Sequence, residues 1–234
     1  MNTAAQVEKI LKKLGSKKKA KTSAWYFKTE KGQYGYGDVF AGVTMPEQRR
    51  VARAYKDLTL KEIEKLLKNK IHECRMTGLL VLVEQYKRGD EKLRRKIAKF
   101  YLAHTKYINN WDLVDLSAPN IIGDYLLKRD RSVLYTLAKS ENIWERRIAL
   151  LAAFMFIRFG ETKDAFALAE MLLADSHDLI HKATGWMLRE IGKRVSRNEL
   201  VQFINQHVSQ MPRTTLRYAI EHFPPNARRK FLEL

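Results

Sequence analysis

Cysteine is nearly absent from this chain of 234 residues, where Cys74 stands alone. One thiol excludes intramolecular disulfides and any thiolate zinc site built within one chain, and it suits a reducing compartment. Long hydrophobic runs are missing too. The longest, Ile148 to Ile157, is closed by Arg158 and falls well short of the roughly 20 residues that span a bilayer. The first residues alternate lysines with single apolar positions and present no continuous apolar segment ahead of a small-residue cleavage site. A cytoplasmic protein without a secretory signal or membrane span is expected. Alternating strand patterns are almost absent and no phosphate-loop lysine motif occurs. Gly35-Tyr-Gly37 has neither the strand nor the helix of a dinucleotide loop, so nucleotide hydrolysis is unsupported.

Negative charge is scarce as well. The 26 Asp and Glu face 44 Lys and Arg, which leaves a formal charge of +18. Such an excess attracts polyanions, nucleic acid first and acidic membrane surfaces second, although a basic surface also serves solubility. A 45% hydrophobic share argues against disorder and for a sizeable core. A length of 234 residues fits one large domain or two small ones. We expect a single domain over 1–234, with a basic N-terminal helix and link at about 1–22.

Helical spacing dominates what is present. Val7, Ile10, Leu11 and Leu14 follow the i, i+3, i+4, i+7 rule of an amphipathic helix, and Lys17, Lys18, Lys19 and Lys21 follow as a basic link. Tyr34 to Phe40, with Gly32, Gly35 and Gly37, is an aromatic loop. Capping boxes are expected at Thr44/Glu47, Thr59/Glu62 and Ser196/Glu199. Further helices are expected near 46–56, 60–68, 71–87, 91–105, 111–117, 120–127, 132–139, 143–159, 162–173, 178–193, 197–208, 212–222 and 225–233. Ser140, Asn142 and Ile143 align with Ser176, Asp178 and Leu179 at an offset of 36 residues. This shift, with two helices per unit, predicts an all-α fold: an alpha-solenoid of HEAT-like repeats with a concave basic face.

The helix from Asp178 to Lys193 carries the clearest functional pattern. Ile180, Ala183, Thr184, Met187 and Ile191 fall on one stripe, and Lys182, Trp186, Arg189 and Lys193 lie roughly opposite. A tryptophan framed by cations suits sugars, bases and phosphates; packing of Trp186 on a neighbouring helix is the competing account. Trp111 and Asp115 stand four residues apart on one face, where a carboxylate beside an indole could stabilise a cation on a sugar or orient water. From spacing alone a structural hydrogen-bonding role for Asp115 is the better account. Arg147 lies at the edge of the stripe of Trp144, Ile148, Leu151 and Met155, either semi-buried or with its stem on apolar surface and its head in water. His177 and His181 have ligand spacing, but Asp178 occupies the place of the zinc-peptidase glutamate, so no metal is expected. Arg213, Arg217, Arg228, Arg229 and Lys230 give the C-terminal helices a basic edge compatible with phosphate contacts.

Four ordered segments together resemble the bacterial DNA alkylation repair family of the AlkD type, HEAT-like DNA glycosylases. They are Phe40-Ala-Gly-Val-Thr-Met-Pro-Glu-Gln-Arg49, Trp111-Asp-Leu-Val-Asp115, Asn142-Ile-Trp-Glu-Arg-Arg147 and Lys182-Ala-Thr-Gly-Trp-Met-Leu-Arg-Glu190. The resemblance spans nearly the whole chain. It implies removal of N3- or N7-alkylated purines from double-stranded DNA, with no cofactor and no metal. It further implies that Asp115 stabilises the sugar cation and aligns water, that Trp111 and Trp186 flank the deoxyribose, and that Arg147 completes the site and holds phosphate. Bases are not drawn into a pocket in this family. Lys182 and Arg189 are implied phosphate contacts, with Lys193, Arg213 and Arg217 as further DNA contacts, and Tyr26 is similar to an aromatic position near the lesion. A monomer associated with the nucleoid is expected. Two alternatives stay open: a HEAT-type module that binds DNA of unusual shape without cutting it, and a protein-binding helical scaffold.

Overall fold

A computed structural model describes residues 2–233. Among these residues all regular structure is helical, apart from one isolated bridge between Val39 and Ile71. The chain divides into two compact units, Met1–Ser117 and Ala118–Leu234.

The first unit opens with α1 (Ala4–Leu14), whose Thr3 and Gln6 exchange capping hydrogen bonds and whose Val7 and Leu11 are buried. The lysine-rich stretch expected as a link is instead a helix, α2 (Lys17–Tyr26), started by the Ser16 hydroxyl, which accepts from Lys19 N–H. No residue of α2 is buried, so it lacks the apolar stripe that reveals a helix in sequence. Next come α3 (Met45–Ala54), α4 (Leu60–Leu67), α5 (His72–Arg88), α6 (Glu91–Ala103) and α7 (Trp111–Ala118). Of the three expected boxes, only at α3 does the carboxylate reach back to its cap residue: Thr44 N–H and hydroxyl both donate to Glu47. At Thr59 the hydroxyl caps the helix, but the Glu62 carboxylate accepts Ala4 N–H at 2.8 Å and ties α1 to α4. Helix α5 is buried continuously from His72 to Val83, which leaves that stretch no solvent-facing side. It forms the core of this unit with Ile63, Leu66, Leu67, Ile97, Tyr101 and Leu113.

In the second unit the helix expected at 120–127 resolves into a π-helical turn, Pro119–Gly123, and a single turn, α8 (Asp124–Leu126). Then follow α9 (Ser132–Ala138), α10 (Ile143–Arg158), α11 (Lys163–Met171), α12 (Asp178–Arg194), α13 (Arg197–His207), α14 (Arg213–Ala219) and α15 (Pro225–Glu233). The apolar run from Ile148 is the buried centre of α10. At α13 Ser196 caps Glu199 N–H, while the Glu199 carboxylate accepts the Thr162 hydroxyl at 2.9 Å.

The internal repeat is written in cap chemistry. Before α10, Ser140 Oγ accepts Asn142 N–H, Asn142 caps the helix, and Arg146 donates back to the Ser140 carbonyl. Before α12, Asp175 accepts His177 N–H, His177 caps the helix, and the His181 ring returns to the Asp175 carbonyl. Before α5, Asn69 accepts Ile71 N–H and Arg75 donates to the Asn69 carbonyl. A similar turn, with a side chain from the first helical turns returning to the carbonyl at its start, thus opens three helices. The cap residues of α10 and α12 are Asn142 and His177, so Asp178, aligned by sequence with Asn142, is instead the first residue inside its helix.

Candidate functional site

In the first unit Trp111 opens α7, and its indole stacks on Phe27 with ring centroids 5.3 Å apart and planes 22° from parallel. Tyr26 meets the same indole edge-on at 6.0 Å and is 55% exposed. Phe27 also stacks on Phe40, and both phenyl rings lie against the imidazole of His72. Trp111 therefore sits on a shelf of aromatic rings rather than on α7 alone. Asp115 follows one turn later, half-buried, with its charge felt by the buried hydroxyl of Tyr101. Burial chiefly, and that charge in addition, push the Tyr101 hydroxyl well above its ordinary range; its own bond is to Ser117 at 2.9 Å.

Beneath the shelf lies a buried polar network. His72 Nε2 lies 2.8 Å from Asp112 Oδ2, and its Nδ1 lies 3.2 Å from Asp38 Oδ2. Arg75 donates to the other Asp38 oxygen at 2.6 Å, and Asn110 donates to Asp38 at 3.2 Å. Burial works against ionisation of Asp38, yet the bond from His72 and the charge of Arg75 hold it below its ordinary value. Burial likewise opposes charge on His72, but the bonds to Asp112 and Asp38 outweigh it and lift the imidazole to about 8. Beside this network the Glu73 carboxylate accepts the backbone N–H groups of Ala41, Gly42 and Val43 at 2.9, 2.8 and 3.2 Å. Gly42, with φ of 79°, makes the left-handed turn that aims its own amide at this carboxylate.

In the second unit Trp186 is half-buried near Phe154, and its Nε1–H donates to Glu190 at 3.2 Å. Glu190 is the centre of this cluster. It also takes Arg194 at 2.6 Å and Arg189 at 3.3 Å, and Arg189 reaches Glu221 besides. Burial raises the Glu190 carboxyl, but Arg194 above all, then Arg189 and Trp186, bring it below its usual value. The indole expected among cations thus has a carboxylate as its bonded neighbour. Lys182 pairs with Asp178 at 2.7 Å, Lys193 is exposed, and Arg213 and Arg217 are exposed on α14. Arg147 is 5% exposed and donates to the Leu179 carbonyl at 2.6 Å, which places its head inside the protein rather than in open water. The expected histidine pair is divided between two tasks, His177 capping α12 and His181 contacting Asp175.

Tyr26, Trp111 and Asp115 thus belong to one unit, while Arg147, Lys182, Trp186, Arg189, Lys193, Arg213 and Arg217 belong to the other. Sequence reasoning missed Phe27, Asp38, His72, Glu73, Arg75 and Glu190. Glu190 stands four residues from Trp186, a spacing that carries a signal; His72 and Asp38 are joined only by the fold.

These features define a class, an all-helical repeat protein whose aromatic side chains are fixed by buried carboxylates. The chain belongs to the DNA alkylation repair enzyme family, whose model matches residues 7–223. A solved structure described as a predicted DNA alkylation repair enzyme from Enterococcus faecalis is similar over 90% of this chain and 97% of its own, with a TM-score of 0.70 and 18% identity. At that identity the likeness shows a shared fold. No curated protein matches the chain. Among the described residues no helix is long and apolar enough to cross a membrane.

Proposed function

We propose that this protein is an alkylpurine DNA N-glycosylase, acting as one functional domain and as a monomer on duplex DNA that carries N3- or N7-alkylated purines. Alkylation at these nitrogens puts positive charge on the base and weakens its bond to deoxyribose. The leaving group then needs no proton from the protein. The C1′–N bond breaks with its electrons going to the base, the alkylpurine departs neutral, and water adds to C1′ while giving up a proton. Asp115 stabilises the sugar cation electrostatically and accepts that proton, and Trp111 lies along the sugar. The lesion base is not drawn into a pocket in this reading, in contrast to most enzymes that excise bases. In the second unit Trp186 presents an aromatic surface to DNA and Arg147 meets phosphate only through its small exposed part, and Tyr26, Lys182, Arg189, Lys193, Arg213 and Arg217 hold the duplex. No metal or cofactor takes part.

The observation that carries this reading is the half-buried carboxylate one turn beyond an indole that other rings hold in place. A protein that only bound DNA would gain nothing from a carboxylate turned toward a polyanion. The test is single-turnover release of free base from methylated duplex DNA, in chelator and at low salt, by the wild type and Asp115→Asn. Release by the wild type alone, with DNA binding by the variant kept or improved, is expected. Release by both at one rate removes Asp115 from the chemistry. Release by neither, with binding intact, favours a non-catalytic DNA-binding module.

A further inference from the structure

We propose that His72 is a positioning residue: bonded at once to Asp112 and Asp38, it clamps the first turn of α7, which carries Trp111 and Asp115, and this two-sided clamp closes only while the imidazole is protonated. The geometry supplies the reason. Both ring nitrogens meet carboxylate oxygens, Nε2 at Asp112 and Nδ1 at Asp38. An ionised carboxylate only accepts, and a neutral imidazole has a single N–H to give, so both bonds exist together only on an imidazolium.

The charged groups facing His72 are Asp38 from the loop before Phe40, Asp112 from α7, and Arg75 from its own helix, whose Nη2 stands 3.5 Å from Nδ1. With His72 protonated the four charges cancel. With His72 neutral, a buried group of net charge −1 is left and one carboxylate bond is lost. The raised affinity of His72 for its proton, about 8, agrees with this balance.

Two routes connect the imidazole to the candidate site. One is polar: Asp112 is the neighbour of Trp111, its other oxygen accepts Leu113 N–H at 2.9 Å, and Asn110, which accepts Trp111 N–H at 2.8 Å, is tied to Asp38. The other runs through rings, from His72 to Phe27 at 5.1 Å and from Phe27 to Trp111 at 5.3 Å. A protonated ring also gains from the faces of Phe27 and Phe40. Opening the clamp frees the turn that orients both Trp111 and Asp115. Misplacement by about 1 Å at such a site costs on the order of 100-fold in rate.

The role in turnover rests on the proposed glycosylase reading; the clamp itself does not, and the experiment keeps the two apart. The first arm uses the full protein without DNA. Its histidine side chains are followed by NMR from pH 5.5 to 9.5 alongside tryptophan fluorescence. We expect His72 to titrate near 8 with both ring nitrogens protonated below that value, and Asp112→Asn to shift the midpoint downward. Titration of His72 near 6.5, or a single protonated nitrogen at pH 6, overturns the clamp. The second arm measures single-turnover base release and DNA affinity across the same pH range. The wild type should lose rate as pH rises through about 8 with affinity changed less than about threefold. His72→Gln should be slower at pH 6.5 and show no such alkaline limb. A His72→Gln variant that keeps the limb refutes the positioning role, as does a wild-type rate that stays flat while His72 loses its proton. Should the wild type release no base, the glycosylase reading fails while the first arm still decides the clamp.

Discussion

Two glycines on α12 allow a controlled comparison. Gly185 belongs to the segment Lys182-Ala-Thr-Gly-Trp-Met-Leu-Arg-Glu190 and faces α14, and Gly192 lies two turns later facing α13. Replacing a glycine inside a helix with alanine ordinarily stabilises by about 1 kcal/mol, because the unfolded chain loses freedom. At Gly185 a β-carbon would stand 2.5 Å from the Thr215 carbonyl oxygen and 2.5 Å from Tyr218 Cβ. Neither atom sits at the end of a side chain that can rotate away, so α14 must retreat by about 1 Å to restore an ordinary separation. That retreat loosens buried Leu216 and Ala219 and stretches the bond from the Thr215 hydroxyl to the His181 carbonyl, now 3.2 Å. Overpacking against backbone falls at the upper end of a range of about 1–3 kcal/mol, and subtracting the helix gain leaves Gly185→Ala destabilised by about 2 kcal/mol. At Gly192 the tightest neighbour is the tip of Leu200, which can turn aside, so Gly192→Ala should fall within about 0.5 kcal/mol of wild type. Urea unfolding followed by circular dichroism gives both values, as shifts in midpoint at constant slope. A Gly185→Ala protein as stable as Gly192→Ala would refute the close approach of α12 and α14.

Glu73→Gln keeps the shape of a buried acceptor of three amides but sets an N–H₂ group against at least one of them. A loss of about 2–3 kcal/mol in thermal unfolding is expected, with Ala41, Gly42 and Val43 losing hydrogen-exchange protection; unchanged protection there would argue against the cradle. Cys74 is fully buried, and burial first, then the charges of Glu8 and Glu73, push its thiol up to about 12. An aromatic disulfide reagent should therefore react with it only after denaturant is added, and prompt reaction in native buffer would show that α5 opens readily. The raised affinity of His72 for its proton stabilises the fold fully below its unfolded value near 6.5. That contribution fades as pH rises through about 8, a loss of about 2 kcal/mol that the melting temperature of wild type, and not of His72→Gln, should record. Trp186→Ala should reduce discrimination between alkylated and intact DNA, which competition binding measures; equal discrimination by mutant and wild type would remove Trp186 from lesion recognition.

The all-helical class was legible because most helices bury one stripe, and Ile180, Ala183, Met187 and Ile191 on α12 repeat at the spacing that makes such a stripe. Helix α2 was not legible, because it buries nothing and its lysines look the same in a linker. The capping boxes at Thr59 and Ser196 were half legible. Their hydroxyls cap as expected, but Glu62 and Glu199 found partners 58 and 37 residues away that no local pattern announces.

Composition and spacing by themselves determined a strongly basic chain with no long apolar run and the helix-by-helix pattern, and its ordered motifs carried the resemblance to its family. These are local or summed properties, and the sequence holds them directly. Tertiary structure decided which groups share a buried environment. Asp38, His72 and Asp112 are separated by 34 and 40 residues, and only the packing of α5 against the loop and α7 makes them one hydrogen-bonded unit. A buried charge must find its partner wherever the fold brings one, because leaving it alone costs several kcal/mol. Long-range pairing of this kind sets the position of Trp111, and no periodicity along the chain encodes it.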